Sequence, residues 1–377
     1  MTPLPAAALA ATWRASLADH SVVHLDAAGC ACPSRAVLDA SVAHLRREAA
    51  VGGYAAEAEA APAVASLRGR LGALVDLDAD AVALAPNATS AFTTLLAAWP
   101  LPTPARVATV ASDDESNRLA LGALAARRLV ELVDLDTDAA GHLDLDTLPR
   151  QLRGVDLLTF PVVASQRGIV QPAASAVSLA RDAGIPVVLD VAQAAGQVAL
   201  TGLDADGYVG TARKWLRGPR GTGWIAAAPG VAARLRPEYP SLVGRDRTGA
   251  GQLATGEASI AARVGLAVAL DELAAAGPDP VFARIAALGV HARARLDGLA
   301  GWSVQEPPDE PSGIVTLAHP TEDPVAAAAR LLAAGVATTA IPAARAPADL
   351  ACGVLRVSLH AYCEAEDLDR LEFSLRR

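Results

Sequence analysis

Short apolar runs rich in Val, Ile and Leu alternate with longer Ala/Leu/Arg patterns through the first two thirds of the chain. This alternation is the strongest constraint on the fold. Runs 81–85, 106–111, 129–133, 156–162, 185–191, 207–210 and 223–227 read as strands, and amphipathic stretches such as 90–98 and 173–183 lie between several of them. Strands buried on both faces read as continuous apolar runs, and their alternation with helices gives βαβ units. The expectation is an α/β fold with a mainly parallel, seven-stranded sheet covered by helices on both faces.

From about Ser259 the texture changes. Helical patterns cover 260–275 and 281–299, followed by a strand-like 313–318, a helical 324–334, a strand-like 354–359 and a closing helix from Glu364. That order predicts a smaller α+β domain at the C-terminal side. The Gly-, Arg- and Thr-rich segment 239–256 has no periodicity and reads as a loop or hinge. A chain of 377 residues exceeds what one core usually serves. The predicted division is an N-terminal segment 1–20, a large domain 21–256 and a small domain 257–377.

The formal net charge is −9 and no basic block interleaves with aromatics, which argues against nucleic acid and anionic membranes as partners. No apolar run reaches the ~18 residues that suggest a membrane span. Residues 1–20 carry an Ala-rich patch without a basic region before it, so they read as a first helix of a cytoplasmic protein. Cys30, Cys32, Cys352 and Cys363 lack the paired spacing of a zinc site and read as reduced, structural thiols.

Lys and Arg total 32, of which one, Lys214, is lysine. Arginine serves wherever charge alone is needed; a lysine can also lose its proton, attack a carbonyl and form an imine. Chance survival of a surface lysine is the competing reading, and context decides. Lys214 follows a strand-like run within Gly210-Thr-Ala-Arg-Lys214 and precedes a Gly-rich stretch ending at Gly223. Upstream, the apolar run 185–191 ends near Asp190, with Gln193 three residues on. Carboxyl ends of parallel strands form the ligand crevice. An aspartate there can pair with a protonated pyridine nitrogen while the lysine reaches an aldehyde carbon; a strand-ending turn is the alternative for Asp190. In Asn87-Ala88-Thr89-Ser90 a strand runs into a helix start, a place for phosphate. Simple capping by Thr89 or Ser90 is compatible with the same residues.

Together these motifs resemble the class V aminotransferase-type enzymes of pyridoxal-phosphate fold type I, a group that includes cysteine desulfurases and selenocysteine lyases. The likeness runs from His24-Leu-Asp-Ala-Ala-Gly29 to Leu355-Arg356-Val-Ser-Leu-His360, nearly the whole chain. It implies that Lys214 holds the cofactor covalently, that Asp190 faces the pyridine nitrogen and that Gln193 contacts the ring hydroxyl. Ala88, Thr89, Thr211 and Arg213 would bind the phosphate. Arg356 would take the substrate α-carboxylate, with Ser165 of the Ser165-Gln-Arg-Gly168 loop and Tyr54 also on the substrate side. Core packing is the alternative for Tyr54.

The departures also inform. Arg213 stands where relatives have a histidine before the lysine. Glu115, in Asp113-Asp-Glu115-Ser-Asn117, stands where they carry the histidine stacked on the ring. Glu257 replaces a threonine expected to touch the neighbouring subunit's phosphate. The stretch 337–350, where a desulfurase needs its nucleophilic cysteine, has none. The resemblance therefore favours the carbon–sulfur lyases of the ergothioneine pathway, which act on a cysteine sulfoxide conjugate and release pyruvate and ammonia. An aminotransferase, an epimerase or a desulfurase-like enzyme on a small amino acid is the alternative, and a non-catalytic cofactor-binding protein a further one. A homodimer is implied, with the Gly244–Gly256 loop, including Arg245 and Arg247, reaching towards the partner.

Overall fold

The computed structural model describes residues 7–18 and 22–377. A helix spans Ala7–Ser16 where the first helix is expected; residues 1–6, 19 and 20 of that segment, and residue 21 at the start of the expected large domain, lie outside the described residues. The chain then forms β1 (Val23–His24), β2 (Val82–Ala85), β3 (Ala105–Val110), β4 (Val130–Leu135), β5 (Leu157–Pro161), β6 (Val187–Asp190), β7 (Gly207–Thr211) and β8 (Gly223–Ala227). Strands β2 to β8 make one sheet in the order β2-β8-β7-β6-β5-β3-β4. They are the seven runs read from the sequence, with ends moved by a residue or two.

Burial explains why these runs are so legible. Every residue of β5, β6, β7 and β8 is buried, so none shows an alternating pattern. Edge strand β4 differs, exposing Glu131, as an unpaired edge should. All pairings are parallel except those of β8, which runs against both β2 and β7. Its first residue, Gly223, therefore sits between Ala85 at the end of β2 and Thr211 at the end of β7. The carboxyl ends of β2, β6 and β7 and the start of β8 share one edge of the sheet.

The C-terminal part adds β9 (Ser303–Val304), β10 (Ile314–Ala318), β11 (Val336–Ala337), β12 (Thr339–Ile341) and β13 (Val354–Ser358). An antiparallel sheet has the order β12-β13-β10-β9, while β11 pairs with β1 and ties the N-terminal segment to this end. Helix Ile260–Ala276 packs on helices Arg35–Val51 and Gly53–Ala73. One apolar core runs from Trp13 to Leu375, and a second around Phe92, Leu95 and Trp99 fills another part of the large sheet's surroundings. Helix Pro278–Leu296 starts three residues before the expected 281, because proline belongs in a first helical turn. Among the described residues no helix is long and apolar enough to cross a membrane.

Gly289 in that helix lies against the backbone of Ser312, and a β-carbon there would stand 1.9 Å from the carbonyl oxygen. The same oxygen accepts from Arg293 Nη2 at 2.9 Å, which holds it in place. Alanine gains about 1 kcal/mol of helix propensity over glycine. Overpacking of this kind costs about 1–3 kcal/mol or more, and the contact is backbone, which yields least. Gly289→Ala should therefore lower the urea midpoint, by about 1–2 kcal/mol of net stability. A raised midpoint would show that the helix moves freely.

Candidate active site

The shared sheet edge opens into a cleft of about 310 Å³. Lys214 lies three residues beyond β7 and is only 7% exposed. Its turn is fixed by Arg217 N donating to the Lys214 carbonyl at 3.0 Å and Ala31 N donating to the Arg213 carbonyl at 2.9 Å. Burial pushes the amine down to about 8; Asp114 and Asp190 pull it back up, and Arg213 and Arg356 push it further down. A buried amine that sheds its proton this readily is equipped to attack a carbonyl.

The sign of this shift gives a test. Only the neutral amine reacts, and its fraction grows as pH rises through the folded-state value. Uptake of pyridoxal phosphate by the apoenzyme should accelerate with pH and level off above about 8. A rate still climbing near pH ~10, the range of an ordinary lysine, would contradict the depression.

Asp190 ends β6 and faces the cleft. Its Oδ1 accepts from Ala192 N at 2.8 Å and its Oδ2 from Asn117 Nδ2 at 2.9 Å. Burial pushes the carboxyl up and Asp114 adds to this, while the Ala192 amide, Lys214 and Asn117 oppose it. Asn117 also donates to Asp113 Oδ1 at 3.0 Å, so one amide group joins two buried carboxylates.

An anion cradle stands where β2 meets helix Ala88–Ala98. Asn87 caps this helix, its side chain accepting from Ser90 N at 2.8 Å. The cap is tucked against β8: a β-carbon on Gly223 would lie 2.6 Å from the Asn87 carbonyl carbon, so only glycine lets the strand and the cap approach this closely. Ala88 and Thr89 on this turn line the cleft together with Thr211 and Arg213. The helix N-terminus and the guanidinium both favour an anion.

Gln193 is buried at the cleft wall with much of its amide engaged. It donates to the Ala28 carbonyl at 3.1 Å and accepts from Trp215 Nε1 at 2.8 Å. Arg356 on β13 reaches the cleft from the small sheet, 3% exposed. Its Nη1 donates to the Ser165 carbonyl at 2.8 Å and its Nη2 lies 3.4 Å from Asp26 Oδ1, while buried Nε has no partner. Ser165 thus meets the arginine through its backbone, its hydroxyl donating to Gln166 Oε1 at 3.0 Å. Gln166 and Arg167 both bind Asp349, at 3.0 and 3.2 Å, which ties the segment after Arg345 to the large sheet.

One expected residue is placed differently. Tyr54 stands on the first turn of helix Gly53–Ala73, 91% exposed, and does not line the cleft. Glu115 does line it, as the first residue of helix Glu115–Ala126. A carboxylate cannot stack on a ring, and among the described residues lining the cleft there is no aromatic side chain. No cysteine lines it either. Cys363 is buried with its thiol pushed well up by desolvation, and Cys352 is exposed in the turn before β13. Asn117 and Asp113 are the residues that sequence reasoning passed over as a pair. Their spacing of four in a segment opening a helix was the available signal.

These donors fit pyridoxal phosphate: a depressed amine, a buried carboxylate across from it, an anion cradle needing Gly223, and an arginine with an unused Nε. The pattern of the family described as aminotransferase class-V matches residues 23–371. A Mycobacterium tuberculosis protein named a probable hercynylcysteine sulfoxide lyase is 39% identical over 367 residues, 96% of this chain and 91% of that protein. Isopenicillin N epimerase of Streptomyces clavuligerus is 28% identical over 335 residues, 82% of each. Among solved structures, a cysteine desulfurase of Thermococcus onnurineus superposes with a TM-score of 0.88 at 18% identity, covering 100% of this chain and 98% of that one. The chain therefore belongs to the class V aminotransferase family, on the fold-type-I scaffold, with pyridoxal phosphate as its cofactor.

Proposed function

We propose that this enzyme is a carbon–sulfur lyase that performs β-elimination on an S-substituted cysteine sulfoxide, hercynylcysteine sulfoxide. The observation that carries the reading is a cleft with the groups for α-proton removal and no thiol to receive sulfur. The similarity to the mycobacterial protein of that name supports the substrate. When bound, the cofactor supplies an electron sink next to the substrate α-carbon.

In this reading Arg356 turns its free Nε to the α-carboxylate and orients the substrate. Lys214, its amine lowered to about 8 so that a neutral fraction exists near physiological pH, takes the α-proton. Asp190 holds a proton at the pyridine nitrogen, Gln193 stands by the ring hydroxyl, and Ala88, Thr89, Thr211 and Arg213 hold the phosphate. The Cα–H electrons form the Cα–Cβ double bond as the C–S bond breaks, and the oxidised sulfur leaves as a sulfenate without help from an enzymic nucleophile. Aminoacrylate then hydrolyses to pyruvate and ammonia. Reduction of the sulfenate to ergothioneine takes two more electrons and lies outside this elimination.

A homodimer in the cytoplasm completes the proposal. Tyr54, clear of its own chain's cleft, would meet substrate only in the neighbouring subunit's. Epimerisation at the α-carbon is the second reading, favoured by the similarity to the Streptomyces enzyme. The deciding assay supplies cysteine conjugates as sulfoxides and as thioethers. Pyruvate released from sulfoxides is the expected result. Inversion at Cα, or amino-group exchange with a keto acid, without pyruvate would reassign the chain to an epimerase or an aminotransferase.

A further inference from the structure

Asp113 is a second fully buried carboxylate behind the one that faces the cleft, and the mechanism above does not use it. It is 1% exposed, yet none of its partners is a cation. Thr109 Oγ1 on β3 donates to its Oδ2 at 2.8 Å, and Asp114 N and Asn117 Nδ2 donate to its Oδ1 at 2.7 and 3.0 Å. The other hydrogen of the same Asn117 amide goes to Asp190 at 2.9 Å. Burying a carboxylate is expensive, and burying two around one amide more so. The charged groups facing Asp113 are Asp190 from β6 and Asp114 from the adjoining turn, both of one sign.

We propose that Asp113 is a positioning residue of the reaction: through the amide of Asn117 it fixes the orientation and the charge of the Asp190 carboxylate at the cofactor. An asparagine amide can present either its oxygen or its nitrogen. With a carboxylate on each side, only the nitrogen can face inward, so Asp113 locks Asn117 as a donor to Asp190. Without that lock the amide can turn and set its oxygen against Asp190, repelling the charge that must face the ring nitrogen. The pair also carries variable charge. Burial, reinforced by Asp190, pushes Asp113 up to about 7, so it shifts from mainly neutral to mainly ionised as pH rises through neutrality. At Asp190 burial pushes the carboxyl up as well, but Lys214 and two N–H donors face it directly and favour its charged form.

The inference rests on Asp190 facing the cofactor, and the experiment separates the two. The holoenzyme's visible absorption is titrated across neutral pH, and kcat and KM are measured, for wild type, Asp113→Asn, Asn117→Ala, the double variant and Asp190→Asn. Asp113→Asn preserves volume but removes the charge and turns one acceptor oxygen into an NH2 donor, and a melting curve checks folding. Expected is loss of a spectral transition near pH 7 and a fall in kcat of about 10-fold with KM within about twofold. Asn117→Ala should behave alike, with the double variant no worse than either single. A spectral titration and kcat like wild type in Asp113→Asn, or effects that simply add, would overturn the proposal. If Asp190→Asn alone perturbs the spectrum, Asp190 keeps its place and Asp113 loses its own. If the expected titration appears but no sulfoxide yields pyruvate, the lyase assignment fails while Asp113 keeps its part.

Discussion

Lys214→Ala should remove the visible absorption of the holoenzyme and lower turnover by at least about 10³-fold. The effect is large because nothing else can stand in. No other lysine exists in the chain, and the remaining cations of the cleft, Arg213, Arg345 and Arg356, stay protonated. Lys214→Arg is the sharper comparison. It restores the positive charge beside Asp114 and Asp190 but not an amine that can lose its proton. Both variants should be equally inactive while still binding the cofactor non-covalently through the cradle around Asn87. Turnover above about a tenth of wild type in Lys214→Arg would mean that charge, not amine chemistry, is what the position supplies. Removal of this buried cation also leaves Asp190 without its nearest opposite charge, so the spectrum and the melting curve belong in the same experiment.

Much of the main sheet is legible in the sequence because two-sided burial leaves unbroken apolar runs, and the turns between them are rich in Gly, Pro and Asp. Helices Arg35–Val51 and Gly53–Ala73 are not. The second is alanine-rich on every side and carries Pro62 inside, so no apolar stripe marks it. Both owe their place to packing on Ile260–Ala276, a contact that no local pattern announces. The cleft divides in the same way. Lys214 and Asp190 stand out because residue type and strand end coincide. The Asn117–Asp190 contact spans 73 residues, and its meaning depends on Asp113 lying behind it. Gln193 was expected at the ring hydroxyl; the fold also engages it between Ala28 and Trp215, a demand that appears only when the short helix Ala27–Cys30, the Lys214 turn and the Asp190 loop converge. Tyr54 is legible as an aromatic beside two glycines, but its exposure follows from helix Gly53–Ala73 beginning exactly there, away from the cleft.

Arg356 provides the second large effect, with the opposite signature. Its guanidinium is already held on two sides, by the Ser165 carbonyl and, more loosely, by Asp26. A rigid fork with one nitrogen unused is suited to a carboxylate. Arg356→Lys keeps a charge, but an ammonium cannot hold Ser165 and Asp26 and still present a second, fixed donor to the substrate. The expected loss in kcat/KM is about 10²-fold for lysine and about 10³-fold for alanine, mostly through KM. Cofactor absorption should survive in both, since none of the proposed cofactor contacts is removed. A second comparison isolates the carboxylate itself: wild type should discriminate against an amide of the substrate α-carboxylate by a similar factor, and Arg356→Ala should not. If the alanine variant still prefers the acid by that factor, another group binds the carboxylate, and Arg345, exposed at the same cleft, is the cation to replace next.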